Sequence, residues 1–228
     1  MLSFIKNLLS IFLPFRCHVC KSATEFGQVI CPGCRGRLSQ ILLPPLPVSD
    51  IRCDFAVFTL SRYDSFVSDI IRIIKYRPSF RLLKVLTEEC LHQGSLRSLI
   101  KPEDVLVPVP MHLERLTTRG FNQAEYLAEK LAGHCRCHFS PALIRSRHTR
   151  PQADCDETER LTNLDRAFQL APGLNRSAFY KRKIWLIDDV ATTGTTMLKC
   201  AEELKTLLPA EVSGLTVSHS FRRSARTI

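Results

Sequence analysis

The fold is decided by one stretch near the C-terminus, Ile184-Trp-Leu-Ile-Asp-Asp-Val-Ala-Thr-Thr-Gly-Thr-Thr196. Four consecutive apolar residues, 184–187, predict a short strand that is buried on both faces, as in a parallel sheet. Two carboxylates follow at the C-terminal end of this strand. A threonine-rich loop around Gly194 then leads into a helix that we expect to begin near Met197. This order of elements predicts an α/β fold with a parallel sheet flanked by helices.

The loop has the chemistry of a phosphate site. Gly194 lets the backbone approach a phosphate closely, while threonine hydroxyls and free amides at the helix start donate to it. The helix terminus favours an anion by a further ~0.3–1 kcal/mol. Asp188 and Asp189 can accept hydrogen bonds from two neighbouring ribose hydroxyls, or hold Mg²⁺ through water. An ordinary buried strand that ends in a turn explains the apolar run but not the acid pair with its hydroxyls.

The stretch closely resembles the phosphoribosyl-pyrophosphate (PRPP) loop of type I phosphoribosyltransferases. The resemblance implies that Asp188 and Asp189 hold the ribose diol and that the following loop wraps the 5′-phosphate. The candidate ligands of PRPP in this stretch are Asp188, Asp189, Ala191, Thr192, Thr193, Gly194, Thr195 and Thr196.

The composition indicates a globular protein with a basic surface. The 228 residues are 45% hydrophobic and 24% charged, which suits one sizeable α/β core with a small appendage. Lysine and arginine number 32 against 22 acidic residues, so the formal net charge is +10. Such an excess favours polyanionic partners, either nucleic acid or an anionic lipid surface, and exceeds what a PRPP site needs.

Two Cys-x-x-Cys pairs predict a metal site. The chain has ten cysteines and no cleavable signal, which favours a reducing compartment, the cytoplasm, and metal binding over disulfides. The thiolates of Cys17, Cys20, Cys31 and Cys34 would form a closed tetrahedral shell for structural Zn²⁺, with a short ribbon hairpin between the pairs. Two redox pairs are the alternative, but no thioredoxin-like strand precedes them.

The N-terminus and a proline-rich stretch define the predicted organisation. Residues 1–15 favour an amphipathic helix that is too short to span a bilayer, although contact with a membrane surface stays an alternative. We divide the chain into residues 1–43 with this helix and the zinc module, a linker at 44–50, and a phosphoribosyltransferase-like domain at 51–228.

The next segment predicts a strand and two amphipathic helices. Residues 51–59 alternate loosely between apolar and polar, which predicts a strand. Asp64 can cap the helix that follows, and the apolar face of that helix consists of Val67, Ile70, Ile71 and Ile74. Its other face and its end carry Arg72, Lys75 and Arg77. A second helix is expected over 81–93. Basic and aromatic residues mix between positions 62 and 84, which suits single-stranded nucleic acid. A solvated helix face with aromatic residues in the core is the simpler interpretation of this stretch alone.

Another apolar strand is predicted over 105–110. The loop after it carries Arg115, Arg119 and Gly120, where a doubly wound sheet places its anion ligands, and a helix is expected from residue 123 to 131. For the following residues, 134–138, we predict a core strand rather than a second metal site, with Cys135 and Cys137 on one face.

Three features together resemble the ComF family of competence-associated, phosphoribosyltransferase-like proteins. They are the double-cysteine module, the segment Arg119-Gly-Phe-Asn-Gln-Ala-Glu125 after Val107-Pro-Val-Pro110, and the PRPP loop. The resemblance extends from Cys17 to about Ser218 and implies that Arg119 begins the pyrophosphate-side loop. It also matches a polar segment that we interpret as a flap closing over PRPP, through Arg145, Thr149, Gln152, Arg160, Asn163, Ala167 and Phe168.

Two functions follow from these residues and the resemblance. The first is a PRPP-binding protein that is required for natural transformation and handles incoming single-stranded DNA in the cytoplasm, together with competence DNA-uptake proteins. The alternative is an active Mg²⁺-dependent phosphoribosyltransferase with an unidentified acceptor, in which Asp188 and Asp189 orient the ribose and Arg115 or Arg119 stabilises the leaving pyrophosphate. A regulator that keeps the fold without turnover is a third hypothesis.

Overall fold

A computed structural model describes residues 15–61, 64–145 and 167–220. The described helices are α1 Pro32–Ile41, α2 Ser65–Tyr76, α3 Phe80–Leu91, α4 Leu96–Leu99, α5 Leu113–Arg119, α6 Gln123–Cys135 and α7 Thr195–Lys205. The strands are β1 Leu42–Pro47, β2 Val57–Ser61, β3 Val105–Pro108, β4 His138–Phe139, β5 Leu143–Arg145, β6 Phe168–Leu170, β7 Lys183–Ala191 and β8 Glu211–His219. Residues 1–14 of the predicted N-terminal helix lie outside the described residues.

Six strands form one sheet in the order β1-β2-β8-β7-β3-β4. Only β1 is antiparallel to its neighbour, so the predicted parallel sheet is confirmed. Strand β7 lies inside this sheet, paired with β3 on one side and β8 on the other. A second, two-stranded sheet consists of β5 and β6.

Helices cover both faces of the sheet and bury β7 between two apolar clusters. Trp185 and Ile187 join one cluster with residues of α2, α3 and α6, whereas Ile184 and Leu186 join the other with residues of α7. All four side chains are fully buried. Alternate residues of a strand face opposite sides of a sheet, so burial on both sides explains the continuous apolar run.

Strand β7 is longer than the sequence predicts. It continues through Ala191 because β8 pairs with it as far as His219, and Asp188 itself pairs with Thr216. The acid pair therefore lies within the paired part of β7 and not after the end of the strand. Helix α7 correspondingly begins at Thr195 instead of near Met197.

The predicted cap of α2 is confirmed, whereas the predictions for the residues before this helix are corrected. Asp64 caps α2, and its carboxylate accepts a hydrogen bond from the amide of Phe66 at 2.7 Å. The predicted strand over 51–59 begins only at Val57, and residues 44–47 of the stretch predicted as a linker belong to β1. Strand β1 is at the edge of the sheet, where proline is tolerated because one side of the strand needs no donor.

The core strand predicted over 134–138 was wrong. Helix α6 continues through Cys135, since Leu127, Leu131 and Cys135 recur one turn apart and are buried. Arg136 ends the helix in the left-handed conformation, with a φ of 59°. Strand β4 is only His138–Phe139, so Cys135 and Cys137 do not share a strand face. None of the helices in the described ranges is long and apolar enough to cross a bilayer.

Candidate functional site

The loop after β7 is held by residues that the sequence analysis placed in a strand. Gly194 has a φ of +80°, and a Cβ atom there would collide with Ile51 Cγ1 and lie 2.8 Å from Cys53 Sγ. The amide of Arg52 donates to the carbonyl of Thr193 at 3.0 Å. Only glycine combines this backbone conformation with so close an approach, so the segment 51–53 forms one wall of the loop.

Among the described residues, no side chain caps the first turn of α7. Gly194 is the N-cap residue and offers no side chain to the helix amides. The hydroxyls of Thr193 and Thr195 lie 2.9 Å apart and bond each other. Amides in a first helical turn have no carbonyl partner within the helix, and the positive end of the helix dipole lies there. The loop is therefore suited to an anion.

The two acids at the end of β7 interact with each other and with a lysine. The amide of Asp189 donates to Asp188 Oδ1 at 2.8 Å, and Lys75 Nζ lies 2.8 Å from Asp189 Oδ1. Burial, and then the neighbouring Asp189, raise the pKa of Asp188 to about 7, although Lys75 opposes the shift. Burial alone would lower the pKa of Lys75, but Asp189 and Asp188 raise it above its ordinary value.

Lys75 is the site residue that the sequence analysis missed. It was placed on the other face and exit of α2, together with Arg72 and Arg77, yet its ammonium group reaches the carboxylate of Asp189. The available signal was spacing: Lys75 is four residues after Ile71, which is buried on the inner face of α2.

The segment after β3 that was predicted as a loop forms the short helix α5, and Arg119 is its last residue. Gly120 ends α5 in the left-handed conformation, and Asn122 caps α6 by accepting from the amide of Ala124 at 3.1 Å. Arg119 Nη1 donates to Gln123 Oε1 at 2.9 Å, which fixes the guanidinium group. Burial lowers the pKa of Arg119, while the charge of Asp189 raises it, so the two charges interact.

Two further arginines surround the site. Burial lowers the pKa of Arg145, and the positive charge of Arg115 lowers it further, whereas Cys200 and Asp188 raise it. The guanidinium of Arg145 lies 5.4 Å from the ring centre of Phe168, so these two flap residues are adjacent. The remaining predicted flap residues, Thr149, Gln152, Arg160 and Asn163, lie outside the described residues.

A small cavity lies beside the acid pair. Its volume is about 10 Å³, and its lining includes Asp189, Thr87 and Gln123 among apolar side chains of α2, α3 and α6. Thr87 Oγ1 and Gln123 Nε2 are buried, and within the part of the chain that the structure describes they have no hydrogen-bond partner. Gln123 therefore contacts Arg119 with one end of its amide and the cavity with the other.

The four predicted metal ligands converge. The Sγ atoms of Cys17, Cys20, Cys31 and Cys34 all lie within 4.8 Å of one another, and Cys20 and Cys31 are 3.6 Å apart. Tetrahedral Zn²⁺ with bonds of ~2.3 Å places its sulfur ligands roughly 3.8 Å apart. The cluster can thus bind a metal ion such as zinc.

The fold around this cluster differs from the expected ribbon hairpin. In the described residues around the cluster, β-type pairing consists of one isolated bridge between Arg16 and Ala23. Helix α1 begins directly after Cys31. The sulfur of Cys31 caps that helix by accepting from the amide of Cys34 at 3.4 Å. Two cysteines thus come from a turn and two from a helix start.

Comparison with known proteins assigns the family. No family model matches the sequence. The chain is 30% identical over 190 residues to Competence protein ComFC of Bacillus subtilis (strain 168), and the match covers 79% of this chain and 68% of the relative. This chain belongs to the ComF family.

Other ComF-like relatives match a larger share of their own length. The DNA utilization protein YhgH of Escherichia coli (strain K12) is 29% identical over 200 residues, which are 82% of this chain and 83% of the relative. Competence protein F of Haemophilus influenzae (strain ATCC 51907 / DSM 11121 / KW20 / Rd) is 25% identical over 220 residues, or 88% and 95%. The ComF resemblance stated from the sequence motifs is confirmed.

Proposed function

We propose that this ComF protein binds PRPP with Mg²⁺ and acts in natural transformation, where it handles incoming single-stranded DNA in the cytoplasm. The observation that supports PRPP binding is the arrangement of a glycine loop, an acid pair and a half-buried arginine at one edge of the sheet. The loop at Gly194 lies at a helix N-terminus, Lys75 forms an ion pair with Asp189, and the charge of Asp189 also acts on Arg119. In parallel α/β sheets, ligands bind at this carboxyl edge.

Each part of PRPP has a matching group in this arrangement. The backbone and hydroxyls of residues 192–196 would hold the 5′-phosphate, and Asp188 and Asp189 would accept hydrogen bonds from the ribose hydroxyls. Arg119, Arg115 and Lys75 would attract the pyrophosphate. Mg²⁺ would arrive with that pyrophosphate, as is usual for a cation that keeps several waters and one or two carboxylates.

The four-cysteine cluster would hold a structural zinc ion. Its residues Cys17 and Cys34 belong to the same apolar cluster as Leu38 of α1 and Leu82 of α3. A metal bound there would stabilise α1 against the rest of the protein, because the free energy of metal binding contributes to folding.

The proposed role in DNA uptake is supported by the names of the relatives and by the net charge of the chain. The names of the relatives mention competence and DNA utilization. The formal net charge of +10 favours a polyanionic partner beyond PRPP itself. DNA-uptake proteins of the competence system are further partners in this proposal.

One observation favours the alternative of an active phosphoribosyltransferase. Burial and Asp189 raise the pKa of Asp188 to about 7. A carboxyl group with a pKa near the working pH can exchange protons during a reaction, which a group that only binds ribose does not require. Release of pyrophosphate from PRPP in the presence of an acceptor would identify this activity.

Calorimetric titration of PRPP with Mg²⁺ into the metal-loaded protein tests the proposal. We expect saturable binding in the wild type. The double variant Asp188→Asn, Asp189→Asn should bind at least about 10- to 150-fold more weakly, since the loss of a single charged hydrogen bond already costs ~1.5–3 kcal/mol. Equal binding by wild type and the double variant would refute the assigned roles.

A matched control separates the site from general charge effects. Glu103→Gln also removes a carboxylate, but Glu103 is exposed and precedes β3, so it lies at the opposite edge of the sheet. This variant should bind PRPP as the wild type does. Circular dichroism of all three proteins verifies that the substitutions leave the fold intact.

A further inference from the structure

Two aromatic side chains are exposed where α2 ends and α3 begins. Tyr76 is 78% exposed and Phe80 is 45% exposed, and both are among the most exposed large hydrophobic residues of the described chain. They are four residues apart, on either side of the turn that joins the helices. Together with Arg77 and Arg81 we call them the α2–α3 surface.

The ring of Phe80 is held in place by two other aromatic residues. Its centre lies 5.5 Å from that of Phe121 and 4.9 Å from that of Tyr126, both in edge-to-face geometry. Phe121 and Tyr126 are themselves half-buried. A ring supported in this way loses little conformational entropy when a flat ligand stacks on it.

The α2–α3 surface is strongly basic. Residues 72–84 include five basic and no acidic side chains. Lys75 is paired with Asp189, but the other four, Arg72, Arg77, Arg81 and Lys84, are exposed and form no ion pair with another described residue. The next acids along α3, Glu88 and Glu89, are paired with Arg35 of α1. The positive charge therefore faces solvent without a neutralising partner in the described chain.

The surface adjoins the carboxylate site. Tyr76 directly follows Lys75, whose ammonium group bonds Asp189. At its other end, α3 contacts α1 of the cysteine module through the ion pair of Arg35 and Glu89, at 2.7 Å. The α2–α3 surface thus begins beside the residue that bonds Asp189, and the far end of α3 contacts the cysteine module.

We propose that the α2–α3 surface binds single-stranded nucleic acid by stacking bases on Tyr76 and Phe80 while Arg77 and Arg81 contact phosphates. Aromatic platforms beside unpaired cations suit a single strand, because its bases expose their faces and its backbone carries the charge. A duplex offers phosphates but no free base faces. This inference rests on the proposed function in DNA handling and locates the surface that would carry it.

The decisive variant is Tyr76→Ala, measured by fluorescence anisotropy with a labelled oligothymidylate longer than the roughly 4–16 nucleotides that one binding groove covers. Affinity should fall about 5- to 150-fold, which corresponds to the loss of one stacked base. Tyr76→Phe keeps the ring and should bind as the wild type does. A loss in Tyr76→Phe as large as in Tyr76→Ala would contradict stacking.

The chain provides a matched aromatic control. Tyr180 is 52% exposed, and Lys181 Nζ lies 5.1 Å from its ring centre, so it is also an exposed tyrosine beside a cation. It precedes β7 and lies at the opposite edge of the sheet. Tyr180→Ala should leave the affinity unchanged, and melting temperatures of both alanine variants should equal that of the wild type.

The basic residues are tested by salt dependence. Each of Arg77→Gln and Arg81→Gln should reduce the slope of log affinity against log salt by about 0.7, the value for one phosphate contact on a single strand. Lys101→Gln is the control, because Lys101 is exposed but precedes β3. Equal slopes in all three variants would exclude phosphate contacts at Arg77 and Arg81.

The outcomes separate this inference from the proposed function. If the wild type binds the oligonucleotide and Tyr76→Ala binds equally well, the surface is elsewhere and only this inference fails. If the wild type binds no oligonucleotide at low salt, the DNA part of the proposed function fails as well. Binding to anionic phospholipid vesicles that is lost in Tyr76→Ala, without loss of DNA binding, would make the surface a membrane contact and overturn the inference.

Discussion

Asp188 and Asp189 are neighbours in sequence, but their surroundings give them different properties. Asp189 is buried and bonds Lys75, whereas Asp188 is partly exposed as a residue, and burial of its carboxyl group together with the charge of Asp189 raises its pKa to about 7. Gly194 is equally dependent on its surroundings, because Ile51 and Cys53 occupy the space beside it. At this scale, the tertiary neighbours decide what each residue does.

Gly194→Ala should destabilise the protein and weaken PRPP binding. The added Cβ would be strained at a φ of +80° and would displace Ile51 and Cys53. We expect a loss of about 1–3 kcal/mol in the free energy of unfolding, measured by urea denaturation. Gly133→Ala is the control, since that glycine lies in α6 with open space around it and should become more stable by ~0.5–1 kcal/mol. Similar effects of both substitutions would contradict the close packing at Gly194.

The raised pKa of Asp188 predicts a pH dependence. Between the ordinary value of 3.8 and about 7, the folded protein holds a proton on Asp188 that the unfolded chain has released. The unfolded state then binds fewer protons, so this contribution to stability is complete below 3.8 and is lost as pH rises to about 7.

Urea denaturation across this range should show the decline in the wild type but not in Asp188→Asn. Binding of PRPP with Mg²⁺ should strengthen as pH passes through about 7, because the carboxylate form is then available. A wild-type profile identical to that of Asp188→Asn would show that Asp188 does not titrate in this range.

At the scale of elements, helices α1 and α3 connect the cysteine module to the sheet. Cys31 caps α1, and Arg35 of α1 bonds Glu89 of α3 at 2.7 Å. Leu38 of α1 is fully buried in the same apolar cluster as residues of α3. The module is therefore coupled to the helices that line the cavity beside Asp189.

Cys17→Ser should lose about one zinc ion per chain, measured by elemental analysis after dialysis, because a closed site needs all four thiolates. The melting temperature should fall, since Cys17 is fully buried and its cluster orders the start of α1. Cys137→Ser changes a half-buried cysteine outside the cluster and should retain the metal. Unchanged zinc content in Cys17→Ser would refute the site.

At the scale of the whole molecule, the parallel sheet brings distant segments to one edge. The carboxyl ends of β3 and β7 are adjacent, so the segment that leads into α5 and the loop containing Gly194 both leave the sheet at this edge. Segment 51–53 before β2 closes the same site, and α2 contributes Lys75. A ligand that touches all of these elements should stabilise them together.

PRPP with Mg²⁺ should raise the melting temperature of the protein. At a ligand concentration of 100 Kd the stabilisation is ~2.7 kcal/mol, which corresponds to about 5–10 °C for a chain of this size. Differential scanning fluorimetry measures the shift. Ribose 5-phosphate is the control, because it lacks the pyrophosphate that Arg119 and Lys75 would attract. No shift with saturating PRPP would contradict binding.

The sequence by itself determined the parallel α/β fold, the cluster of four cysteines, the cap at Asp64 and the ComF family. These depend on local patterns: an apolar run for a buried strand, paired cysteines for a metal cluster, and a capping carboxylate at a helix start. Such patterns are visible because their causes lie within a few residues of chain.

Tertiary structure alone decided the ion pair of Lys75 with Asp189, the contact of Ile51 with the loop at Gly194, and the raised pKa of Asp188. It also decided that β7 extends to Ala191 and α6 to Cys135. Pairing with β8 and burial of the helix face stabilise these ends more than the local conformational preferences of the residues oppose them. Each depends on groups far apart along the chain whose burial and separation are set only when the sheet and helices pack.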